Sequence, residues 1–232
     1  MDDSDSGLVI TSPPYNMNLR IKYGKYLFRS EESKISTKYR SKFEDKMTME
    51  DYFEFHRNVL THLIRVSRLV FYNTGFFTGN KVATFELMGH FSKYLKDIII
   101  WDKGHAQPAM ANGVMNSQFE VILIFEQSNA ISRQFKEHNF DRGTLSNLWQ
   151  INRQISSDKL HKAVFPDQLV EDIINNFWLK EELIIDPFMG TGTTGVVSKR
   201  LGIDFIGVEL DEEYFGNAKR RIHETMSPDD YL

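Results

Sequence analysis

The alternation of short apolar runs with amphipathic segments is the main structural signal along this chain. Apolar runs typical of buried strands occur at residues 7–12, 69–73, 97–101, 119–125, 183–186 and 204–209. Between them, apolar residues at helical spacing predict helices over residues 49–68, 81–95, 166–179, 193–201 and 211–224. Because strands and helices alternate, we predict an α/β fold with a doubly wound, mostly parallel sheet covered by helices on both faces.

Two polar segments interrupt this alternation. Residues 17–48 combine Lys and Arg with interleaved Tyr and Phe, and we interpret them as a basic, aromatic-rich loop or lid. A solvated insertion would have the same composition. Residues 127–160 are irregular and contain Arg133, Lys136, Arg142 and Arg153. Since no repeat or obvious linker divides the chain, we predict a single domain over residues 1–232.

Composition narrows the classes of protein that fit. The chain has no cysteine, which excludes a disulfide framework, a Cys-based zinc finger and a thiolate nucleophile. A cytoplasmic location fits this composition, as do other reducing compartments. The apolar runs are too short to cross a membrane, and the acidic start of the chain is not that of a signal peptide. With a net charge of −4, any contact with nucleic acid needs a local basic surface.

A glycine-rich motif follows the predicted strand at 183–186. Asp186 is followed by Gly190, Gly192 and Gly195 at the start of a predicted helix, and Glu209 ends the next strand. This is the arrangement of a nucleotide-binding βαβ unit, in which the acid accepts the hydroxyl groups of a ribose. The residues after Gly192 are not the Lys-Ser/Thr of a P-loop, which argues against ATP or GTP. The glycine spacing alone does not separate NAD from another adenosine cofactor.

A Ser-Pro-Pro-Tyr motif ends the first predicted strand. Two prolines enforce an extended, rigid turn, which can direct the Ser12 side chain and the Pro13 carbonyl at one point. Tyr15 would add a flat aromatic face. Two acceptors beside an aromatic ring suit a planar base that carries an amino group, although a simple proline turn explains Pro13 and Pro14 equally well.

Together, the two motifs resemble those of the amino-group DNA methyltransferases that use S-adenosylmethionine. The order, with the Ser-Pro-Pro-Tyr motif first and the glycine-rich motif last, resembles the circularly permuted beta class. Residues 119–125 and 161–169 look like two further, less specific segments of this family. The family usually has a strand with an acidic residue upstream of the Ser-Pro-Pro-Tyr strand, whereas only a few residues precede Leu8 here.

This resemblance implies a Rossmann-like methyltransferase fold and a role for individual residues. The implied catalytic residues are Ser12, Pro13, Pro14 and Tyr15. The implied residues for S-adenosylmethionine are Phe165, Asp186, Phe188, Gly190, Gly192, Thr193, Thr194 and Glu209. Ordinary core packing remains an alternative for Phe165 and Phe188, and a turn cap for Asp186. No metal site is expected.

The resemblance also implies a substrate and partners. The substrate would be double-stranded DNA with a flipped base, and Ser-Pro-Pro-Tyr favours cytosine N4 over adenine N6. A role in restriction-modification would add a cognate restriction endonuclease, and sequence recognition could be shared with a second subunit in a homodimer. Segment 127–160 is the candidate target-recognition segment. Within it Asn147, Trp149, Asn152 and Gln154 could read base edges, although ordinary packing is the better explanation. The alternatives are an RNA substrate, a non-catalytic DNA-binding subunit and an NAD-dependent oxidoreductase.

Overall fold

The computed structural model describes residues 7–17, 19–22, 25–28, 47–107, 112–128, 130–153 and 165–231. The strands are β1 (Gly7–Thr11), β2 (Leu19–Lys22), β3 (Lys25–Phe28), β4 (Ser67–Thr74), β5 (Leu95–Gln107), β6 (Ser117–Glu126), β7 (Leu148–Gln150), β8 (Ile184–Asp186) and β9 (Phe205–Gly207). The helices are α1 (Met49–Val66), α2 (Lys81–His90), α3 (Asp167–Phe177), α4 (Thr193–Leu201) and α5 (Glu212–Glu224), followed by a 3-10 helix at Pro228–Tyr231. This order confirms the predicted α/β class.

Seven of the described strands form one sheet in the order β7-β5-β6-β4-β1-β8-β9. The pairs β1–β4, β1–β8, β8–β9 and β5–β7 are parallel, whereas β6 is antiparallel to both of its neighbours. The sheet is therefore mostly parallel, as predicted. The C-terminal ends of β1, β4, β5, β7, β8 and β9 meet at one edge, which we call the carboxyl edge. The N-terminal end of the antiparallel β6 lies there too.

Two apolar clusters cover the faces of this sheet. On one face, Leu60 and Ile64 of α1 and Leu87 of α2 pack against β1, β4 and β6. On the other face, Ile173 of α3 and Val197 of α4 pack against alternate residues of the same strands. Because successive strand residues point to opposite faces, each buried strand contributes to both clusters. The helices on both faces confirm the doubly wound arrangement.

The structure departs most from the predicted elements at α2, at β5 and within the predicted loop 17–48. α2 ends at His90 instead of residue 95, because Phe91 caps the helix and the chain turns back into the sheet. β5 extends to Gln107, well beyond the predicted residue 101, because it forms a long hairpin with β6. β2 and β3 pair as an antiparallel hairpin within the predicted loop 17–48; residues 29–46 of that segment lie outside the described residues.

Much of segment 127–160 lies at the edge opposite the carboxyl edge. Asn139 donates its backbone N–H to Asn176 near the end of α3, at 2.9 Å. The Phe140 ring packs on Phe177, with ring centroids 5.4 Å apart. The chain then forms β7, which runs parallel to β5 and which the sequence did not predict. Residues 151–153 follow β7 and lie at the carboxyl edge. Residues 154–160 lie outside the described part of the chain.

Within the described ranges, none of the helices is both long and apolar enough to span a membrane. The same residues contain no group of three His, Cys, Asp or Glu side chains placed to hold a metal ion.

Candidate active site at the carboxyl edge

The two sequence motifs meet at the carboxyl edge, where they follow the adjacent strands β1 and β8. β1 leads into the Ser-Pro-Pro-Tyr loop, and β8 leads into the glycine-rich loop. Thr11, the last residue of β1, donates its hydroxyl to Asp186 Oδ1 at 2.7 Å. The structure therefore joins the two loops by a buried hydrogen bond between residues 175 positions apart in the sequence.

Asn16 holds the Ser-Pro-Pro-Tyr loop against two helix starts. Its backbone has a φ of 52°, in the left-handed region, which Asn tolerates better than most residues. Its amide donates to the carbonyls of Met47, before α1, and Gly79, before α2, at 3.0 and 2.9 Å. Its side-chain oxygen accepts from the Met47 N–H at 2.9 Å. The loop is thus fixed to the scaffold directly after Tyr15.

Tyr15 is buried within this loop, with 8% of its surface exposed. Its ring stacks on Phe77, with centroids 5.6 Å apart and planes inclined by 24°. Its hydroxyl lies 3.0 Å from Ser12 Oγ and donates to Glu120 Oε2, also at 3.0 Å. One face of the ring is therefore backed by Phe77.

Three further polar residues complete a network behind Ser12 and Tyr15. Asn73 donates to the Tyr15 oxygen, and to Glu120 Oε2 at 2.9 Å. Lys103 donates to Glu120 Oε1 at 3.0 Å. No sequence motif identifies Asn73 or Lys103, and Glu120 belongs only to the strand motif at residues 119–125. The sequence does contain a signal for Lys103 and Glu120. Both are charged residues in otherwise apolar strands, and a buried charge needs a partner.

A buried histidine, His56, lies beneath the Ser-Pro-Pro-Tyr loop, and no sequence motif identifies it. Burial lowers the pKa of His56 to about 3, although a hydrogen bond to the Pro14 backbone opposes the shift. The imidazole pairs with the Tyr72 hydroxyl, and burial raises the pKa of Tyr72 well above its usual value. Tyr52 donates to the Pro14 carbonyl at 3.0 Å. The base of the loop is therefore neutral and polar at physiological pH.

The glycine-rich loop uses the conformational freedom of two of its glycines. Gly190 and Gly192 have φ values of 52° and 83°, which strongly favour glycine. A Cβ on Gly192 would lie 2.7 Å from Cβ of Ala218 in α5, which leaves no space for a side chain. At Gly190, by contrast, a Cβ would have no described atom within 4 Å. The loop thus packs tightly on α5 and is open on the side of Gly190.

Asp186 lies beneath this loop, with 3% of its surface exposed. Besides Thr11, its carboxylate accepts from the Thr194 hydroxyl at 2.7 Å and from the Phe188 N–H at 3.1 Å. Burial raises the pKa of Asp186 to about 6, and these hydrogen bonds limit the rise. Asp186 therefore shapes the loop from below by linking β1, the loop backbone and α4.

Glu209 follows β9 and contacts the glycine-rich loop at Gly190. Its carboxylate accepts from the backbone N–H of Gly190 and of Asp211, both at 2.9 Å. Thr193 begins α4, which no side chain caps. The Thr193 hydroxyl oxygen is buried and has no hydrogen-bond partner among the described residues.

The two predicted phenylalanines lie in different surroundings. Phe188 is half-buried beside the glycine-rich loop, and its ring centroid lies 5.9 Å from that of Phe55 in α1. Phe165 packs against the cluster on the α3 face, 6.4 Å from the Trp101 ring in β5. Three strands separate β5 from β8. The structure thus places Phe188 with the loop and Phe165 with the core, and the role of Phe165 stays a prediction.

The candidate base-reading residues are only partly described. Trp149 is 7% exposed in β7 and donates its indole N–H to the Ser146 carbonyl at 2.7 Å. It is therefore a core residue, in agreement with the packing alternative. Asn147 is exposed, Asn152 lies beside Gly104, and Gln154 lies outside the described residues.

This sheet, with a glycine-rich loop and a Ser-Pro-Pro-Tyr loop on adjacent strands, defines a Rossmann-like α/β protein of the methyltransferase type. Its sequence matches the profile of the N6/N4 DNA methylases over residues 7–220. The chain therefore belongs to the DNA methylase family.

Comparison with individual relatives supports this membership. The type II methyltransferase M2.LlaDCHI of Lactococcus lactis subsp. cremoris is 33% identical over 134 residues, which cover 54% of this chain and 49% of the relative. M.BglII of Bacillus subtilis is 24% identical over 91% of this chain and 62% of its own length. The chain spans about half the length of several curated relatives that it matches, among them M2.LlaDCHI, M.SmaI and M2.DpnII.

Solved structures share the fold at low sequence identity. The cytosine-N4-specific PvuII DNA methyltransferase superimposes with a TM-score of 0.69 at 17% identity, covering 94% of this chain and 80% of that one. A DNA modification methylase of Thermus thermophilus in complex with S-adenosyl-L-methionine gives a TM-score of 0.61 at 21% identity, covering 98% of this chain and 89% of that one.

Proposed function

We propose that this chain is a DNA methyltransferase that transfers a methyl group from S-adenosylmethionine to the exocyclic amine of a flipped base, with cytosine N4 as the target. The observation that carries the proposal is the hydrogen bond from Thr11 to Asp186. It brings the loop suited to an amino-bearing base next to the loop suited to a nucleotide cofactor. In open α/β sheets, ligands bind at this edge of the strands.

The glycine-rich loop fits the proposed cofactor in three respects. The open space at Gly190 admits a ligand close to the backbone. The Thr193 hydroxyl, which has no partner among the described residues, and the uncapped start of α4 suit the carboxylate of the methionine part, since helix N-termini attract anions. Glu209 follows β9, where it would accept the ribose hydroxyls. S-adenosylmethionine supplies an electrophilic methyl group when it is bound.

The Ser-Pro-Pro-Tyr loop would hold the base. Ser12 Oγ and the Pro13 carbonyl would accept hydrogen bonds from the amino group, favouring a pyramidal nitrogen whose lone pair points at the methyl group. This contribution is one of positioning and electrostatics, and it needs no covalent intermediate. Flipping a base costs a few kcal/mol, and stacking on Tyr15 would return about 1–3 kcal/mol.

The choice of base rests on the first residue of the motif. In the family, Ser-Pro-Pro-Tyr is more often associated with cytosine N4, whereas Asp or Asn in the first position is more often associated with adenine N6. Ser12 therefore supports cytosine. Adenine N6 is the alternative, since both targets are aromatic amines of similar geometry.

We place the DNA along the carboxyl edge. Of the described part of segment 127–160, residues 151–153 lie at this edge, whereas Asn139 and Phe140 lie beside the end of α3 at the opposite one. Arg153 follows β7 at this edge, three residues after Gln150, which pairs with Asp102. The pKa of Lys103 is lowered mainly by burial, and the charge of Arg153 contributes in the same direction. Residues 17–48 remain the second candidate DNA contact. Cytoplasmic location, restriction-modification, a cognate endonuclease and a homodimer belong to the same proposal.

Methylation of mixed-sequence duplex DNA tests this function. The purified chain is incubated with DNA and isotopically labelled S-adenosylmethionine, and the digested nucleosides are identified by mass spectrometry. We expect labelled N4-methylcytosine, and a loss of label in Ser12→Ala. N6-methyladenine would overturn the choice of base while keeping the reaction class.

Cofactor binding distinguishes a methyltransferase from a non-catalytic subunit and from an oxidoreductase. S-adenosylhomocysteine should raise the Tm by binding to the folded state, and NAD should not. Binding without methylation of any base would contradict the enzymatic proposal and favour a non-catalytic DNA-binding subunit. A rise in Tm with NAD alone would instead favour an oxidoreductase.

A further inference from the structure

Four adjacent strands of the sheet bring five polar side chains together at the Ser-Pro-Pro-Tyr loop. Ser12 and Tyr15 follow β1, Asn73 is near the end of β4, Glu120 is near the start of β6, and Lys103 is in β5. Asn73 and Lys103 are 1% and 2% exposed. This network lies outside both sequence motifs except for Ser12 and Tyr15.

The charges of the network are defined by the Glu120–Lys103 pair. Lys103 Nζ lies 3.0 Å from Glu120 Oε1, and the side chains are 1% and 12% exposed. An ammonium group buried to this extent needs a counter-ion, and Glu120 provides it. Burial lowers the pKa of Lys103, and the Glu120 charge opposes this shift. Glu120 therefore accepts hydrogen bonds as a carboxylate and donates none.

This charge determines where the hydroxyl protons lie. Tyr15 has one hydroxyl proton, which it donates to Glu120 Oε2 at 3.0 Å. Asn73 donates an N–H to the same Tyr15 oxygen. In the contact of 3.0 Å between the two hydroxyls, Tyr15 has no second proton to give, so Ser12 must be the donor. The Ser12 proton is thereby directed at Tyr15. Asn73 also donates to Ser12 Oγ, at 3.4 Å, so the oxygen keeps one lone pair with which it can accept from a ligand.

We propose that Glu120, with Lys103 and Asn73, is a positioning residue that orders the protons of Tyr15 and Ser12 so that Ser12 meets the target amine only as an acceptor. The inference rests on the proposed function, because it concerns the same amine. A Ser12 hydroxyl free to rotate would spend part of its time with its proton toward the amine. The amine N–H groups would then lose an acceptor, and the nitrogen would be held less well for transfer.

The same two strands contain a matched control pair. Lys96 and Glu126 form a second buried ion pair at the opposite edge, with Nζ and Oε2 at 2.6 Å and side chains 0% and 10% exposed. Glu126→Gln perturbs an equally buried pair between β5 and β6 but is remote from Tyr15. Glu120→Gln and Glu126→Gln should both lower the Tm, whereas only Glu120→Gln should slow methyl transfer.

Single-turnover methylation at saturating DNA and S-adenosylmethionine tests the inference. We expect Glu120→Gln and Tyr15→Phe each to lower the transfer rate about 10- to 100-fold, with little change in DNA KM or in S-adenosylhomocysteine affinity. The double variant should be no slower than the slower single variant, since both break the same proton order.

Three results would overturn the inference. They are a Glu120→Gln rate within twofold of wild type, an equal loss of rate in Glu126→Gln, and effects of Tyr15→Phe and Glu120→Gln that multiply. In all three the wild type still methylates DNA, so the proposed function survives. A wild type that methylates no base would overturn both.

Discussion

Asp186 shows at the scale of a residue how one buried carboxylate can connect two functional loops. Its oxygens accept from Thr11 in β1, Thr194 in α4 and the Phe188 backbone. A buried carboxylate is costly unless it is hydrogen-bonded, so these three donors are needed whenever Asp186 is ionised. Because its pKa is raised to about 6, the residue is ionised at pH 7.5 and largely protonated at pH 5.

Thr11→Val tests this connection, since it replaces the hydroxyl with a methyl group of similar volume. We expect the free energy of unfolding to fall by about 1–3 kcal/mol at pH 7.5, because Asp186 loses a donor. The loss should be smaller at pH 5, where the carboxyl is protonated. Denaturant titrations at both pH values measure this. Thr74→Val, at a buried Thr in the neighbouring strand, is the control. Equal losses at both pH values for Thr11→Val would contradict the assignment.

The role of Tyr15 is best tested by a substitution that keeps its aromatic ring. The implied role of Tyr15 as an aromatic face for the base makes Tyr15→Ala the simplest substitution to test. In the structure the ring is buried on Phe77, and removing a buried aromatic ring typically costs about 3–5 kcal/mol. Tyr15→Phe keeps the ring and is therefore the variant in which activity can be separated from folding.

At the scale of secondary-structure elements, the contact between α4 and α5 shapes the glycine-rich loop. Gly192 immediately precedes α4, and its α-carbon hydrogen faces Ala218 of α5 so closely that no Cβ fits. A side chain there would push the start of α4 away from α5. The first turn of α4 would then move relative to Gly190 and Glu209.

Gly192→Ala should therefore weaken S-adenosylhomocysteine binding by about tenfold or more, as a shift of the helix start disturbs the ligand contacts. Gly113→Ala is a matched control, because Gly113 has a similar φ of 75° but a Cβ there would have no described atom within 4 Å. Both variants should lose stability from backbone strain. Calorimetric titration compares their affinities, and equal binding by both variants would contradict a role for the α4–α5 contact.

Segment 127–160 is divided by β7 between the two edges of the sheet. Arg133 lies in the part at the opposite edge, where it is 76% exposed and pairs with Asp97. Arg153 lies in the part at the carboxyl edge. A basic side chain contributes to DNA affinity only where phosphates come close to it, so these two arginines should behave differently.

Arg153→Ala should weaken DNA binding and reduce the slope of log Kd against log salt by about one, the value expected for one phosphate contact. Arg133→Ala should leave both quantities unchanged. Fluorescence anisotropy over a salt series measures them. A larger effect of Arg133→Ala would place the DNA on the opposite edge and contradict the proposed docking.

At the scale of the whole molecule, two buried groups act in opposite directions on acid stability. His56 has a folded pKa of about 3, against 6.5 when exposed. The unfolded chain therefore binds this proton first, and stability is lost as the pH falls from 6.5 toward 3. Asp186 has a folded pKa of about 6 against 3.8, so the folded state binds its proton first and stability rises as the pH falls from 6 toward 3.8.

His56→Gln isolates the first contribution, because glutamine does not titrate. The difference in the free energy of unfolding between wild type and His56→Gln should shrink by about 2 kcal/mol from pH 7.5 to pH 5, which is the linkage expected for this pKa shift. Urea titrations at the two pH values measure the difference. A pH-independent difference would show that His56 titrates in the folded state as it does in the unfolded chain.

The sequence by itself determined the order of the main elements and the two motif loops. Apolar periodicity is a local property, so α1, α3 and the strands β1 and β8 were predicted close to their observed bounds. The glycines at 190 and 192 and the prolines at 13 and 14 also act locally, through backbone geometry. The family resemblance was confirmed by the match over residues 7–220.

Only the tertiary structure decided which distant residues act together. β7 has three residues, too few for a periodic signal, and it determines which part of segment 127–160 reaches the carboxyl edge. The Glu120 network joins residues from four strands, and Thr11 meets Asp186 across 175 positions. The physical reason is that strand order and register arise from packing the whole sheet between its helices, and no local pattern in the chain encodes them.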